Sequence, residues 1–230
     1  MLWVMGMEEK INIFNIEMDN LTAKETMIKA MEYLESESMD TIEIMSMDML
    51  LSGQENTEWK KQVGEIKIVI PGEKEILTAA DVHDRKKLRE AEDRVFLKMF
   101  MKYLQKNRGR VYLLAGTEEE LERVEDSVRR YNRGIRIAGH ALLSPGSGRE
   151  ETVINDINGT ETDCILSVLP SPYQEQFISE NKALLNARLW FGCGPALRKS
   201  YDDLHFFTKV KRFFLKRMFW YKVEKEQKEK

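Results

Sequence analysis

Asp163-Cys-Ile-Leu-Ser-Val-Leu169 runs directly into Pro170-Ser-Pro-Tyr-Gln-Glu-Gln-Phe-Ile-Ser179, and the reading of this junction decides the fold. The first seven residues form a short apolar run of the kind buried on both faces of a parallel sheet. Ser171 reads as an N-cap and Pro172 as the first helical residue. Gln174, three positions after the cap, reads as the return half of a capping box, so the spacing predicts a helix over 172–183. A strand that feeds a capped helix this abruptly leaves free N–H groups and a positive dipole end at the carboxyl edge of a sheet. That edge is where α/β proteins hold phosphates.

Outward from the junction, strand and helix signals alternate. Strands are predicted over 111–115, 135–138, 163–169 and 187–191, with helices over 117–131, opened by Thr117-Glu-Glu-Glu120, and about 149–157. Toward the N-terminus, Ile11-Asn-Ile-Phe-Asn-Ile16 reads as a strand. Thr22-Ala-Lys-Glu25 reads as a capping box before a helix carrying Met27, Ile28, Met31 and Leu34. Thr41–Ser46 and Glu65–Ile70 read as further strands, while the polar stretch from Gln54 to Gln62 fits a helix or a loop. From Asp81 to Asn107, Val95, Phe96, Met99, Phe100, Tyr103 and Leu104 recur at helical spacing. The fold class that follows is α/β: a Rossmann-like parallel sheet with helices on both faces. The expected organisation is an N-terminal α/β lobe over 1–80, a connecting helix over 81–107, a second α/β lobe over 108–200 and an appendage over 201–230.

With 230 residues, 42% of them hydrophobic, the chain can build a real core. A net charge of -3 and a pI near 5.8 argue against a protein that coats nucleic acid. The two cysteines, Cys164 and Cys193, have no spacing that suggests zinc or a disulfide framework, which fits a reducing compartment. Met1–Met7 is apolar, short and followed by acids, resembling neither a signal peptide nor a spanning helix, so a cytoplasmic protein is expected. The appendage differs in character. In Phe206-Phe-Thr-Lys-Val-Lys-Arg-Phe-Phe-Leu-Lys-Arg-Met-Phe-Trp-Tyr-Lys222, Phe207, Val210, Phe214, Met218 and Tyr221 can share a helical face flanked by Lys209, Lys211, Arg212, Lys216, Arg217 and Lys222. A basic amphipathic helix of this kind, Trp220 included, can lie on an anionic membrane surface; its aromatics can also pack onto the domain or a second subunit.

Ser171-Pro-Tyr-Gln-Glu-Gln-Phe-Ile178 resembles the Ser-Pro-x-Gln-Glu-x-Trp-Ile signature of the TagA/WecG/CpsF glycosyltransferases, N-acetylmannosaminyltransferase-like enzymes of glycosyltransferase family 26. Arg110–Gly116, Ile135–Gly139 and Leu189–Gly194 are similar to further strands of that family, of which this chain reads as a divergent member. The resemblance implies transfer, with inversion, of N-acetylmannosamine or a related sugar from a UDP donor to a lipid-linked acceptor in bacterial surface-polymer synthesis. It implies a protein peripheral to the inner face of the membrane, with the nucleotide sugar held in the 108–200 lobe. No cofactor or metal is called for, and no nucleic acid.

The resemblance places Gln174 and Glu175 at the nucleotide-sugar pocket, although capping and a favourable first-turn acid would explain the pair as well. Gly116-Thr117, Ser171, Gly192 and Gly194 lie at strand or helix ends where a backbone can approach a phosphate, or simply turn. His140 follows Gly139 at a predicted strand end; His83 and His205 stand apart from it, and none has metal-ligand spacing. Met45, Met47 and Met49 read as adaptable core filling. Inverting transfer needs a carboxylate beside the acceptor hydroxyl. Where the family resembled carries Pro-Asp-Gly, this chain has Pro71-Gly72-Glu73, so Glu73 or Asp48 would have to act as base. The family's Thr-x-Asn-x-Glu corresponds to Ile44-Met-Ser-Met-Asp48, and its Phe-Asp after Gly194 to Leu197-Arg198. Two readings follow: a membrane-peripheral transferase, or a catalytically inactive relative serving as partner to an active, paralogous transferase. Self-association into a homo-oligomer suits either. A flavodoxin-like signalling domain would need an acidic phosphorylation pocket that these strand ends do not supply.

Overall fold

The structure is a computed structural model that describes residues 10–194, residue 197 and residues 206–229, with side chains of the last segment described over 212–228. Its first surprise is at the start. Instead of one strand over Ile11–Ile16, the chain makes a hairpin of β1 (Lys10–Ile13) and β2 (Ile16–Asp19), antiparallel in register. Phe14 and Asn15 both take left-handed conformations, φ 56° and 60°. This is the two-residue reversal whose twist matches a hairpin, reached here without the glycine that usually announces it. The hairpin is tied down by Asp19, which accepts hydrogen bonds from Lys10 Nζ at 2.6 Å and from the Val69 amide at 2.8 Å.

Next comes α1 (Ala23–Glu35), opened by the expected Thr22/Glu25 capping box, then β3 (Asp40–Met45), α2 (Met47–Gly53) and α3 (Thr57–Gly64). The Gln54 to Gln62 stretch is thus largely helical, with Asn56 as its cap. β4 (Ile68–Pro71) and α4 (Lys74–Ala79) follow. The charged segment after Asp81 is two helices, α5 (Arg85–Glu92) and α6 (Val95–Lys106), because Arg94 between them is left-handed at φ 51°. The second half is β5 (Arg110–Ala115), α7 (Glu118–Tyr131), β6 (Arg136–Leu142), α8 (Glu150–Gly159), β7 (Cys164–Ser167), α9 (Tyr173–Asn181) and β8 (Leu189–Gly192). α10 (Phe206–Glu229) closes the description.

The six strands β3 to β8 form one sheet in the order β4-β3-β8-β7-β5-β6, every neighbouring pair parallel. Being sandwiched, they bury side chains on both faces, which is why they read as near-continuous apolar runs. Val111, Leu113, Leu166 and Phe191 meet α1, α6 and α7 on one face, where Phe96 and Phe100 stack edge-on against the Phe191 ring at 5.5 and 4.9 Å. On the other face Tyr112, Leu114, Ile165 and Trp190 meet α8 and α9, and Met45 and Val69 meet the hairpin, α2, α3 and α10.

On α10 the described members of the expected face, Phe214, Met218 and Tyr221, share an exposed side, and other residues dock the helix. Phe219 and Val223 are buried, the Phe219 ring standing edge-on to Phe14 at 6.0 Å, whereas Phe214, Met218 and Tyr221 are exposed. Phe207 and Val210 lie outside the residues whose side chains are described. Among the described residues no helix is long and apolar enough to cross a membrane. The split gives a direct check by urea unfolding. Phe219→Ala should cost about 3–5 kcal/mol, the usual loss for emptying a buried aromatic site. Phe214→Ala should stay within about 0.5 kcal/mol of the parent. Equal losses would mean that α10 does not dock through Phe219.

Candidate functional site

All six strand ends point to one edge of the sheet. There the connection from β5 leads outward to β6 while that from β7 leads inward to β8, so a switch point opens between them, the usual ligand crevice of such sheets. Gly116, Thr117, Ser171 and Gly194 follow the ends of β5, β7 and β8 on this edge. Gly116 closes against the loop after β7: a Cβ there would sit 3.0 Å from Pro170 Cδ. Thr117 is exposed and caps α7, its hydroxyl accepting the Glu120 amide at 3.3 Å. Gly194 turns with φ +41° into open space.

The capping box expected at the next helix is not formed. α9 starts at Tyr173, has no side-chain cap and ends at Asn181, and the Ser171–Pro172 peptide is cis. Gln174 turns inward instead: its amide donates to Glu43 Oε1 at 3.0 Å, across the sheet face. Gly192 makes this approach feasible, because a Cβ at 192 would lie 2.7 Å from Gln174 Nε2. Glu175 is fully buried beside Glu43. Burial first, then the adjacent Glu175 charge and a hydrogen bond to it, push the Glu43 carboxyl well above the usual carboxylate range, which favours its protonated form. Gln174 and Glu175, with Glu43 and beside Gly192, form a buried polar joint that fastens α9 to β3 and β8. The signal for it was in the sequence at Glu43, an acid in the middle of the apolar strand Thr41-Ile-Glu-Ile-Met45.

A second concavity lies beside the crevice, at the ends of β3 and β4. Gly72 packs against Met45, its amide donating to the Met45 carbonyl at 2.7 Å, and a Cβ there would meet Ile44 Cγ2 at 2.7 Å and that carbonyl oxygen at 2.8 Å. Glu73 is 7% exposed, and its Oε2 accepts the Met47 amide at 2.7 Å, capping α2 together with Ser46. Around Glu73 stand Lys74, Glu75, Arg94 and, from α10, Arg212. Burial, then repulsion from Arg212, lowers the Arg94 guanidinium from its ordinary value, with Glu73 acting in the opposite sense. Lys216 pairs with Glu75 and draws α10 onto this cleft. The cleft holds about 20 Å³, on the order of one or two waters. It offers a carboxylate that can accept a proton and two guanidiniums that can hold anionic oxygens. Neither Arg94 nor the inward turn of Arg212 was readable from residue spacing; a left-handed break and a long-range helix docking put them there.

The other sequence candidates lie elsewhere. Asp48 is exposed on the outer side of α2, in a shallow hollow with Phe214, Arg217, Met218 and Tyr221, so it and Glu73 do not share a cleft. His140 is not at a strand end: β6 continues to Leu142, and the exposed imidazole faces Glu125 at 3.2 Å. Of the residues proposed for membrane contact, Arg212 and Lys216 turn to the cleft, Phe214 and Arg217 are exposed, and Trp220 is half-buried against the hairpin core. The side chains of Lys209 and Lys211 lie outside the described residues. Met45, Met47 and Met49 are buried.

A family model described as the Glycosyl transferase WecG/TagA/CpsF family matches residues 11–199, a span that takes in the whole six-stranded sheet and the Glu73 cleft apart from Arg212. Among individual curated proteins none matches.

The polar joint has a pH signature. Below the ordinary carboxylate range Glu43 is protonated in both folded and unfolded chains. As pH rises, the unfolded chain releases that proton while the folded one retains it, so stability falls with rising pH until the folded group also titrates. Glu43→Gln keeps a donor and an acceptor and removes the titration. Its Tm should match the parent near pH 4 and exceed it by at least about 2 °C at pH 7; parallel Tm curves over this range would refute the protonated Glu43.

Proposed function

The chain belongs to the WecG/TagA/CpsF family of glycosyltransferases, and from that premise we propose that it transfers N-acetylmannosamine or a related sugar from a UDP donor to a lipid-linked acceptor at the cytoplasmic face of a membrane. The observation that carries this reading is the meeting of Glu73, Arg94 and Arg212 in one cleft next to the switch-point crevice. The nucleotide lies along the rim of Gly116, Thr117, Ser171 and Gly194, and its diphosphate reaches toward Arg94 and Arg212. The acceptor hydroxyl attacks the anomeric carbon from the face opposite the diphosphate. Glu73 takes the hydroxyl proton as the new C–O bond forms and the bond to UDP breaks, which inverts the centre. The guanidiniums stabilise the charge that collects on the leaving diphosphate. The exposed Phe214, Met218 and Tyr221, with Arg217 among them, support contact between α10 and the lipid surface.

The second reading, a catalytically silent partner of an active transferase, is favoured by two specific facts. Glu73 is already engaged in capping α2 through the Met47 amide, and Gly72 has no space for the aspartate that the family resemblance leads one to expect.

Calorimetry with UDP, followed by turnover of UDP-N-acetylmannosamine, separates the two. Glu73→Gln retains an oxygen for the Met47 amide. It should leave the Tm within about 2 °C while lowering turnover roughly 100-fold or more, the range of general-base losses. Arg212→Ala should weaken UDP binding by about 10-fold. Gly72→Asp should destabilise the fold by about 1–3 kcal/mol through overpacking, without raising activity. A folded parent that neither binds UDP nor turns over the donor would leave the silent-partner reading.

A further inference from the structure

The cleft around Glu73 has a neighbour beneath it, a cavity of about 50 Å³ between the N-terminus of α1, the ends of β3 and β4, and α6. The two share Ile44, Gly72, Ala91 and Arg94. Together they are far below the several hundred Å³ in which proteins enclose ligands of this size. One wall must therefore move for a sugar and an acceptor to meet at Glu73.

The walls differ in what holds them. The strand ends are fixed in the sheet, and α6 buries Phe96, Leu97, Phe100, Met101 and Leu104 in the core. α10 is anchored by Phe219 and Val223. The remaining wall, α5, contributes Lys87, Glu90, Ala91 and Glu92 to the two cavities and has no buried residue at all; Leu88 and Ala91 are only partly covered. Polar contacts tie it down: Lys87 Nζ donates to the Asn20 carbonyl at 2.6 Å, Glu90 accepts the Ala23 amide at 2.8 Å, and Lys74 pairs with Glu92. At either end of the segment a non-glycine residue stands in the left-handed region, Asp81 at φ 60° and Arg94 at φ 51°. A change of φ and ψ at two such points swings the segment between them as a unit.

We infer that α5 is a hinged lid, turning about Asp81 and Arg94, that closes the Glu73 cleft and opens it by releasing the contacts to Asn20, Ala23 and Lys74. A segment without buried apolar anchors sits at the low end of a protein's range of opening energies, which is where mobile covers are drawn from. Its place in catalysis rests on the transferase reading; its motion does not.

The full unliganded chain tests it by hydrogen exchange. Amides of 85–92 should exchange at least about 10-fold faster than those of 95–106. Lys87→Ala/Glu90→Ala should speed exchange over 85–92 by a further factor of about 10 while leaving 95–106 unchanged. A second measurement reads the opening of the cavity. Leu77→Cys places a thiol in its wall at a site 4% exposed, against native cysteines that are both fully buried. Labelling by a small maleimide should accelerate in step with exchange over 85–92 when Lys87 and Glu90 are replaced. Exchange over 85–92 as slow as over 95–106, or labelling that follows only global unfolding, would overturn the lid. Loss of UDP binding alone would count against the transferase reading and leave the lid standing.

Discussion

Strand β8 is the last strand of the sheet to be made and sits at its centre, hydrogen-bonded in parallel to β3 on one side and β7 on the other. Residues 189–192 thus close a pairing with residues 40–43 that no local contact can anticipate. Without it, the strands of the first half and those of the second would be separate pieces, each with an open edge. The crevice, the Glu73 cleft and the helix that bears Gln174 all take their positions from the alignment of strand ends that this insertion imposes. Pairings of such sequence separation carry a large loop-closure entropy, which slows folding relative to a fold of local contacts.

The same insertion explains the buried acids. Glu43 faces Gly192 across the β3–β8 pair, and the missing side chain at Gly192 admits Gln174 between them. Three polar side chains in an apolar interior are costly unless they satisfy one another. Here the Gln174 amide meets Glu43, and burial beside Glu175 favours a proton on Glu43. The result is a specific joint rather than a greasy one: a slide of α9 along the sheet would break the Gln174–Glu43 hydrogen bond in a buried setting. Glu73 is buried in the same economical way, its carboxylate capping α2 while lining the cleft with Glu75 and Glu92.

Much of this was legible beforehand. The parallel α/β architecture, all six strands of the sheet and the Thr22/Glu25 cap follow from apolar runs, helical spacing and capping residues, which are local properties. What escaped were features set by the backbone or by distance. Phe14-Asn15 turns without glycine, and Arg94 breaks a helix that its neighbours' periodicity would continue. Gln174 sat at the right spacing for a capping box, yet the more demanding partner was Glu43, 131 residues away. His140 looked terminal because Gly139 resembles a strand stop. That glycine instead makes room for the Tyr112 ring, which a Cβ would meet at 2.5 Å.

Asp19 holds one more consequence. β4 is an outer strand of the sheet, and a free outer strand offers unpaired amides to any other extended chain, the usual seed of sheet-to-sheet aggregation. The Val69 amide on that border is taken by the Asp19 carboxylate, and the hairpin that carries Asp19 lies alongside as a guard. At the opposite border β6 presents exposed, cationic or polar side chains at Arg136 and His140. One border is plugged by a carboxylate and the other carries charge and polarity, so each outer strand of a parallel sheet rich in isoleucine, leucine and valine bears a device that disfavours edge-to-edge pairing.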